Sequence, residues 1–286
     1  MDTCAGCGNT FPISSMQCPH CGRFAGAPNV RTASRSEEKE ALQTRYDAAI
    51  KRAQLDGRAD IVESFESVVL SQSRAVVYRS LDEAVRLSRS DQQGYTSFYK
   101  LLHAGARFPS GESWDRLRML ADVELFGAAS EDIRFAALSL GGTDLPHYGP
   151  VTMVFRDTMI CDRTTVFEEN SAVFIRRARE RAEEPPRLAG YRATWENRAR
   201  LAVAKCGDEL KSKTQPEEFP SVLMRPGSAG GEDDVFVEVH IYGPLTRRSL
   251  SQLIVRSDGM DAGGSPALLK DLRDRMNVIG VDVAGA

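Results

Sequence analysis

Long apolar runs are absent from this sequence of 286 residues: no window approaches the ~18 consecutive apolar residues that a membrane helix requires, so no membrane span is expected. A positive excess is absent too. Lys and Arg number 37 against 40 Asp and Glu, a formal net charge of −3. The chain as a whole therefore lacks the field with which phosphate-neutralising proteins usually bind nucleic acid, and only a local basic surface stays open. The first residues lack the basic-then-apolar layout of a secretory signal, which points to a cytoplasmic protein. No Gly-x-Ser-x-Gly elbow occurs, which disfavours a Ser-His-Asp hydrolase of that design. A Walker loop and a Gly-x-Gly-x-x-Gly after a strand are likewise missing.

What is present is an ordinary globular composition, 42% hydrophobic and 27% charged, in a chain long enough for one large domain and a small one. Four of the six cysteines fall in two pairs, Cys4-x-x-Cys7 and Cys18-x-x-Cys21, with ten residues between the pairs and a glycine (Gly8, Gly22) after each. Two such turns deliver four thiolates to one tetrahedral zinc ion, each glycine permitting the tight backbone that follows. So short a segment has almost no core, and the metal supplies most of its folding free energy. Residues 1–24 resemble the minimal zinc ribbons at the N-termini of many bacterial proteins, which bind nucleic acid or protein or merely cap a domain. Cys161 and Cys206 stand alone and read as small buried apolar residues.

Residues 25–35 are small and polar without apolar period and read as a flexible linker. A helical region follows over 36–127. Leu42, Tyr46, Ala49 and Ala53 form one stripe that stops at Gly57. Asp60 with Glu63, and Ser80 with Glu83, look like capping boxes opening two further helices. Tyr95 to Leu102 reads as helix with Tyr95, Phe98, Tyr99 and His103 in the core, and Trp114, Leu117, Leu120 and Ala121 mark another helix ending near Gly127.

The remainder, 128–286, reads as α+β. Ile133 to Ile175 holds three or four short strand-like runs separated by turn residues. Val151, Met153 and Phe155 alternate with Thr152, Val154 and Arg156. From Ala172 to Arg200 eight arginines face four glutamates, a pattern of solvated helix broken at Pro185-Pro186, with a second helix over Thr194 to Cys206. The glycine-rich stretch Pro226 to Asp234 reads as a loop suited to gating, ahead of a strand from Val235 to Tyr242 that ends at Gly243-Pro244. On that strand Val235, Val237, Val239 and Ile241 share one face, and Phe236, Glu238, His240 and Tyr242 the other. A carboxylate and an imidazole between two aromatics compose a site wall. The plainer alternatives are an edge-strand carboxylate paired with an arginine and a hydrogen-bonded core histidine. Leu253 to Val255 suggests another strand, and Ser265-Pro266 opens a last helix carrying Leu268, Leu269, Leu272 and Met276.

This order of elements, with Tyr148-Gly149 in a turn, Arg163-Thr164-Thr165 on a middle strand, the acidic turn Glu168 to Ser171 and Glu238-x-His240 on a late strand, resembles the ADP-ribosyltransferase-like fold, in which a split, mostly antiparallel sheet clasps NAD. The resemblance implies that Tyr148, Thr164, Thr165, Ser171, Phe236 and Tyr242 hold NAD. It makes Glu238, with His240, the catalytic pair. A carboxylate opposes the positive charge that develops as the glycosidic bond breaks, and an aromatic clamp holds the base. Many members carry Glu/Gln-x-Glu, with the second Glu catalytic; His240 stands there in this chain, and Glu168 is a further candidate. Two readings follow. In one, the chain is an NAD-dependent ADP-ribosyltransferase or NAD glycohydrolase acting on a macromolecular target, toxin-like or defence-related, with zinc in its ribbon. In the other, it is a non-catalytic zinc-ribbon adaptor for a protein or nucleic-acid partner.

Overall fold

The computed structural model describes residues 1–95, 113–142, 145–183, 186–228, 233–256 and 266–285. Strands β1 (Asp2–Thr3) and β2 (Thr10–Phe11) form a small antiparallel hairpin around the first cysteine pair. Cys4, Phe11 and Cys18 are its buried core. The stretch read as a linker contains a helix, α1 (Pro28–Ala33), whose proline at the start presets the first turn and forgoes an N–H that would have no partner there. Next come α2 (Ser36–Leu55) and α3 (Ala59–Gln72), buried through Leu42, Ala49 and Ala53 and through Val62, Phe65 and Val69. Asp60 caps nothing. Arg58 holds the N-cap position of α3, and Asp60 lies inside the first turn, where its charge still favours the helix dipole.

Arg74–Arg79 is a strand, β3, that periodicity does not reveal. It is followed by α4 (Leu81–Ser88), whose N-cap Ser80 accepts from the Glu83 N–H at 3.3 Å, as the capping pattern predicts. Helix α5 (Ser113–Phe126) matches its sequence expectation, whereas residues 96–112, with Phe98, Tyr99 and His103, lie outside the described residues. Tyr95 is buried.

Beyond it run β4 (Ile133–Ser139), β5 (Val151–Phe155), the short α6 (Asp157–Ile160), β6 (Thr164–Phe167), α7 (Ser171–Glu180), β7 (Arg192–Thr194) and α8 (Arg198–Cys206). Ala172 to Ile175, where the strand-like runs and the arginine-rich helical pattern overlap, is helical because Asn170 caps it: its Oδ1 accepts from the N–H groups of Ala172 and Val173. The chain closes with α9 (Phe219–Leu223), β8 (Glu238–Tyr242), β9 (Leu250–Val255), α10 (Pro266–Asn277) and β10 (Asp282–Ala284).

Eight strands form one sheet in the order β10-β9-β5-β3-β4-β8-β6-β7, antiparallel except for the β10–β9 pair. Alternation divides its faces. Ala75, Val77, Leu138, Met153, Val239 and Ile241 point into the main core, where they meet α2, α3, α8 and α10. On the opposite face Phe167 packs with Ala121 and Leu125 of α5 and Phe174 of α7, while Val76, Tyr78, Ala137 and Phe236 form a separate cluster. Between these two smaller clusters the sheet, among the described residues, is left open as a cleft. No helix among the described residues is long and apolar enough to cross a membrane.

Candidate functional site

The cleft has a volume of about 390 Å³, within the range of small-molecule sites. Its floor is apolar (Val76, Ala137, Phe236), and among the described residues six side chains with polar groups line it: Tyr78 and Arg79 from β3, Arg118 from α5, Tyr148, Asn170 and Glu238. Glu238 is placed by register. Strand β8 is interior, with Glu238 opposite Ala137 of β4 and Phe167 of β6, and His240 opposite Phe135 and Thr165. Glu238 is thus no edge residue, and at 3% exposure its charge requires partners. It has three. Oε1 accepts from Arg118 Nη1 at 2.8 Å, and Oε2 accepts from the Ser171 N–H at 3.0 Å and lies 2.8 Å from His240 Nε2. Ser171 is the first residue of α7, so the carboxylate also meets the positive end of a helix dipole. Burial alone would raise the Glu238 pKa, but Arg118, His240 and Ser171 outweigh it and hold the carboxyl at about 2.

His240 is the plain core histidine of the two alternatives. Burial lowers its pKa against the pull of Glu238, and the rings of Phe126, Phe135 and Phe167 surround it at 4.8 Å, 5.3 Å and 5.9 Å between centroids. We take the pair as neutral imidazole and charged carboxylate, because Arg118 already supplies the compensating cation. An ionised carboxylate only accepts, so the imidazole proton sits on Nε2. Arg118 is itself shared: its Nε lies 3.1 Å from Asp122 Oδ1, one turn along α5, and its guanidinium is 3.6 Å from the centre of the Phe135 ring.

At the other side of the cleft Arg79 ends β3, its Nε 3.3 Å from Glu83 and its guanidinium over the Tyr95 ring. Burial lowers its pKa, Glu83 opposing. Tyr148 can stand above the cleft because Gly149 follows it at φ +131, with a missing Cβ that would fall 2.5 Å from the Arg79 carbonyl. Partial burial, then Asp234 and Glu238, push the Tyr148 phenol up, so it remains a neutral hydrogen-bonding group.

Of the residues the sequence nominates, Glu238, Tyr148 and Phe236 line the cleft, and Ser171 touches it through its N–H to Glu238. Thr164 and Thr165 do not line it: the Thr164 hydroxyl donates to the Ile160 carbonyl and that of Thr165 accepts from Asn29. Tyr242 turns away to donate to the Ser14 carbonyl at 3.2 Å. Glu168 is paired with Arg45. The loop expected over Pro226 to Asp234 is tied at its ends, where Gly227 and Ser228 N–H groups bond Asp234 and Asp233; residues 229–232 lie outside the described residues. Sequence reasoning missed Arg79, Arg118 and Asn170. The signals were there: an Arg-Asp pair four apart on a predicted helix, an arginine beside the Ser80 cap, and an asparagine before a helical run.

A second centre lies in the ribbon. The sulfurs of Cys4, Cys7, Cys18 and Cys21 all fall within 4.8 Å of one another, with Cys4–Cys21 at 3.6 Å and Cys7–Cys18 at 3.7 Å. Bonds of 2.3 Å to a tetrahedral metal imply an edge of roughly 3.8 Å, so the four thiols fit such an ion. Backbone N–H groups of Gly6 and Cys7 pull the Cys4 thiol down to about 6, while the neighbouring sulfurs and burial outweigh the Arg23 backbone N–H and push Cys21 up to about 11. Gly8 and Gly22 have positive φ, as the tight turns require. His20 is a spacer whose ring lies against the Thr10 carbonyl. Compared with models of protein families, the chain matches none, and compared with curated proteins it likewise finds no match.

Proposed function

We propose that this chain is an ADP-ribosyltransferase-like protein that cleaves NAD in the cleft over β3, β4 and β8, acts on a macromolecular target, and carries a structural zinc ion on Cys4, Cys7, Cys18 and Cys21. The observation that carries the reading is a carboxylate held ionised at the wall of a ligand-sized cleft, with two guanidinium groups and an aromatic pair, Tyr148 and Phe236, around it. Glu238 has the charge and rigidity to oppose a developing oxocarbenium ion. In this reading Arg79, across the floor, would meet a pyrophosphate. Arg118 bonds one oxygen of Glu238 but also Asp122, so it can yield Oε1 to a ribose hydroxyl without losing its own anion. His240 orients the carboxylate rather than meeting substrate.

One observation favours the adaptor reading: both Glu238 oxygens are already engaged, and a saturated carboxylate serves architecture as well as catalysis. Labelled NAD incubated with the protein and cell lysate separates the two. Transfer or hydrolysis that falls by roughly two to three orders of magnitude in Glu238→Gln, with NAD affinity little changed, supports the enzyme. Wild-type protein that neither binds nor consumes NAD leaves the adaptor.

A further inference from the structure

The metal ribbon is wired to the strand that carries Glu238. Arg31 on α1 sits over the Phe11 ring at 5.1 Å and donates to the carbonyls of Ile13, Ser15 and Gly26, with its Nε on Asp2 at 2.8 Å. One guanidinium thereby gathers four points of the ribbon. Two residues earlier, Asn29 is 5% exposed and directs its amide into the sheet, Nδ2 lying 3.0 Å from the His240 carbonyl of β8, 3.2 Å from the Thr165 hydroxyl of β6 and 3.2 Å from the Arg163 carbonyl. Tyr242, last in β8, closes the circuit by donating to Ser14 between the two cysteine pairs.

We infer that the four-cysteine centre, through Arg31 and Asn29, positions β8, so that metal occupancy sets the order of the Glu238–His240 wall. Phe11 and the two buried cysteines are the ribbon's whole core, too little to hold its fold without the ion. When the ribbon loosens, Arg31 loses the carbonyls that orient it and α1, only six residues long, has no independent stability. Asn29 then leaves β6 and β8. Asn29 is a positioning residue, acting through the His240 carbonyl and the Thr165 hydroxyl. The inference holds whether or not NAD is the ligand, because it concerns the strand and not its substrate.

Hydrogen exchange on the full chain tests it. Three samples are compared: metal-loaded protein, protein stripped by a chelator with loss verified by elemental analysis, and metal-loaded Asn29→Ala. Peptides over Thr164–Phe167 and Glu238–Tyr242 exchange roughly tenfold faster or more in the second and third samples, while those over Leu250–Val255, separated from β8 by three strands of the sheet, keep their rate. Stripping that accelerates exchange only within the ribbon overturns the inference. So does acceleration spread evenly over the sheet in both altered samples, which would mean global unfolding. A metal-loaded Asn29→Ala that exchanges like the parent over β6 and β8 removes Asn29 from the circuit.

Discussion

Glu238 shows how much a single residue's surroundings decide. The same side chain on an edge strand would be a solvated carboxylate; between β4 and β6 it is a buried anion whose three donors come from α5, α7 and its own strand. The linkage sign follows. Its folded pKa of about 2 lies below the ordinary 4.5, so the unfolded chain binds the proton first. The stabilisation is complete above about 4.5 and is lost as pH falls toward about 2, on the order of 3 kcal/mol for a shift of this size. His240, kept neutral by burial, adds to the same trend from 6.5 downward, since the unfolded imidazole protonates before the folded one. Urea unfolding as a function of pH should therefore show stability declining below 6.5 and more steeply below 4.5. Glu238→Gln should flatten the lower limb; a parallel curve would mean the carboxylate is not the group responsible. Sequence alternation put Phe236, Glu238 and His240 on one face, and the register keeps them there. What it could not supply was Arg118, since an ion pair 120 residues apart in the chain leaves no local pattern.

At the scale of elements, the longer strands that alternate were legible, while β3 and the two- and three-residue strands β1, β2, β7 and β10 were hidden. β5 reads as a strand because Val151, Met153 and Phe155 alternate with Thr152, Val154 and, just past its end, Arg156. β3 has its middle buried on both sides, Val76 and Tyr78 toward the cleft and Ala75 and Val77 toward the main core, so its sequence is a short apolar run. It also continues the helical spacing of Val62, Phe65 and Val69 and runs directly into the Ser80 cap. Losing sight of β3 meant losing Arg79 as well. The turn between β4 and β5 makes a sharper claim. Gly149 approaches the Arg79 backbone so closely that a Cβ there would overlap its carbonyl carbon and oxygen at 2.5 Å, at a φ of +131 that other residues rarely adopt. Gly149→Ala should destabilise the fold by about 1 to 3 kcal/mol, measured by denaturant midpoint, and should displace Tyr148 from the cleft. An alanine variant as stable as the parent would show that this turn has room the geometry denies.

Over the whole molecule, the order of helical and strand-like runs identified an α+β chain and the spacing of the cysteines an N-terminal metal-site pattern, but neither told how the ribbon meets the sheet. Residues 25–35 carry no apolar period because the apolar side chains they bury, Ala27, Pro28 and Ala33, are small, and the seam itself is polar: the Asn29 amide and the Arg31 guanidinium donate to carbonyls of other segments. Hydrophobic patterning cannot report such a seam. The consequence can be read by trypsin. A linker free in solution would be cut after Arg31 or Arg35 at once, leaving a fragment that begins at Thr32 or Ser36. With α1 seated, the Arg31 side chain is 16% exposed and held by Asp2, while Arg35 is 44% exposed but belongs to a backbone running directly into α2. Cleavage needs several residues in extended form, so metal-loaded protein should resist trypsin at both positions. Stripping the metal with a chelator should expose both sites, with the fragments identified by mass. Rapid cutting after Arg31 in protein that contains one zinc per chain would show a ribbon that swings free of the sheet, and the seam drawn by Arg31, Asn29 and Tyr242 would then have to be abandoned.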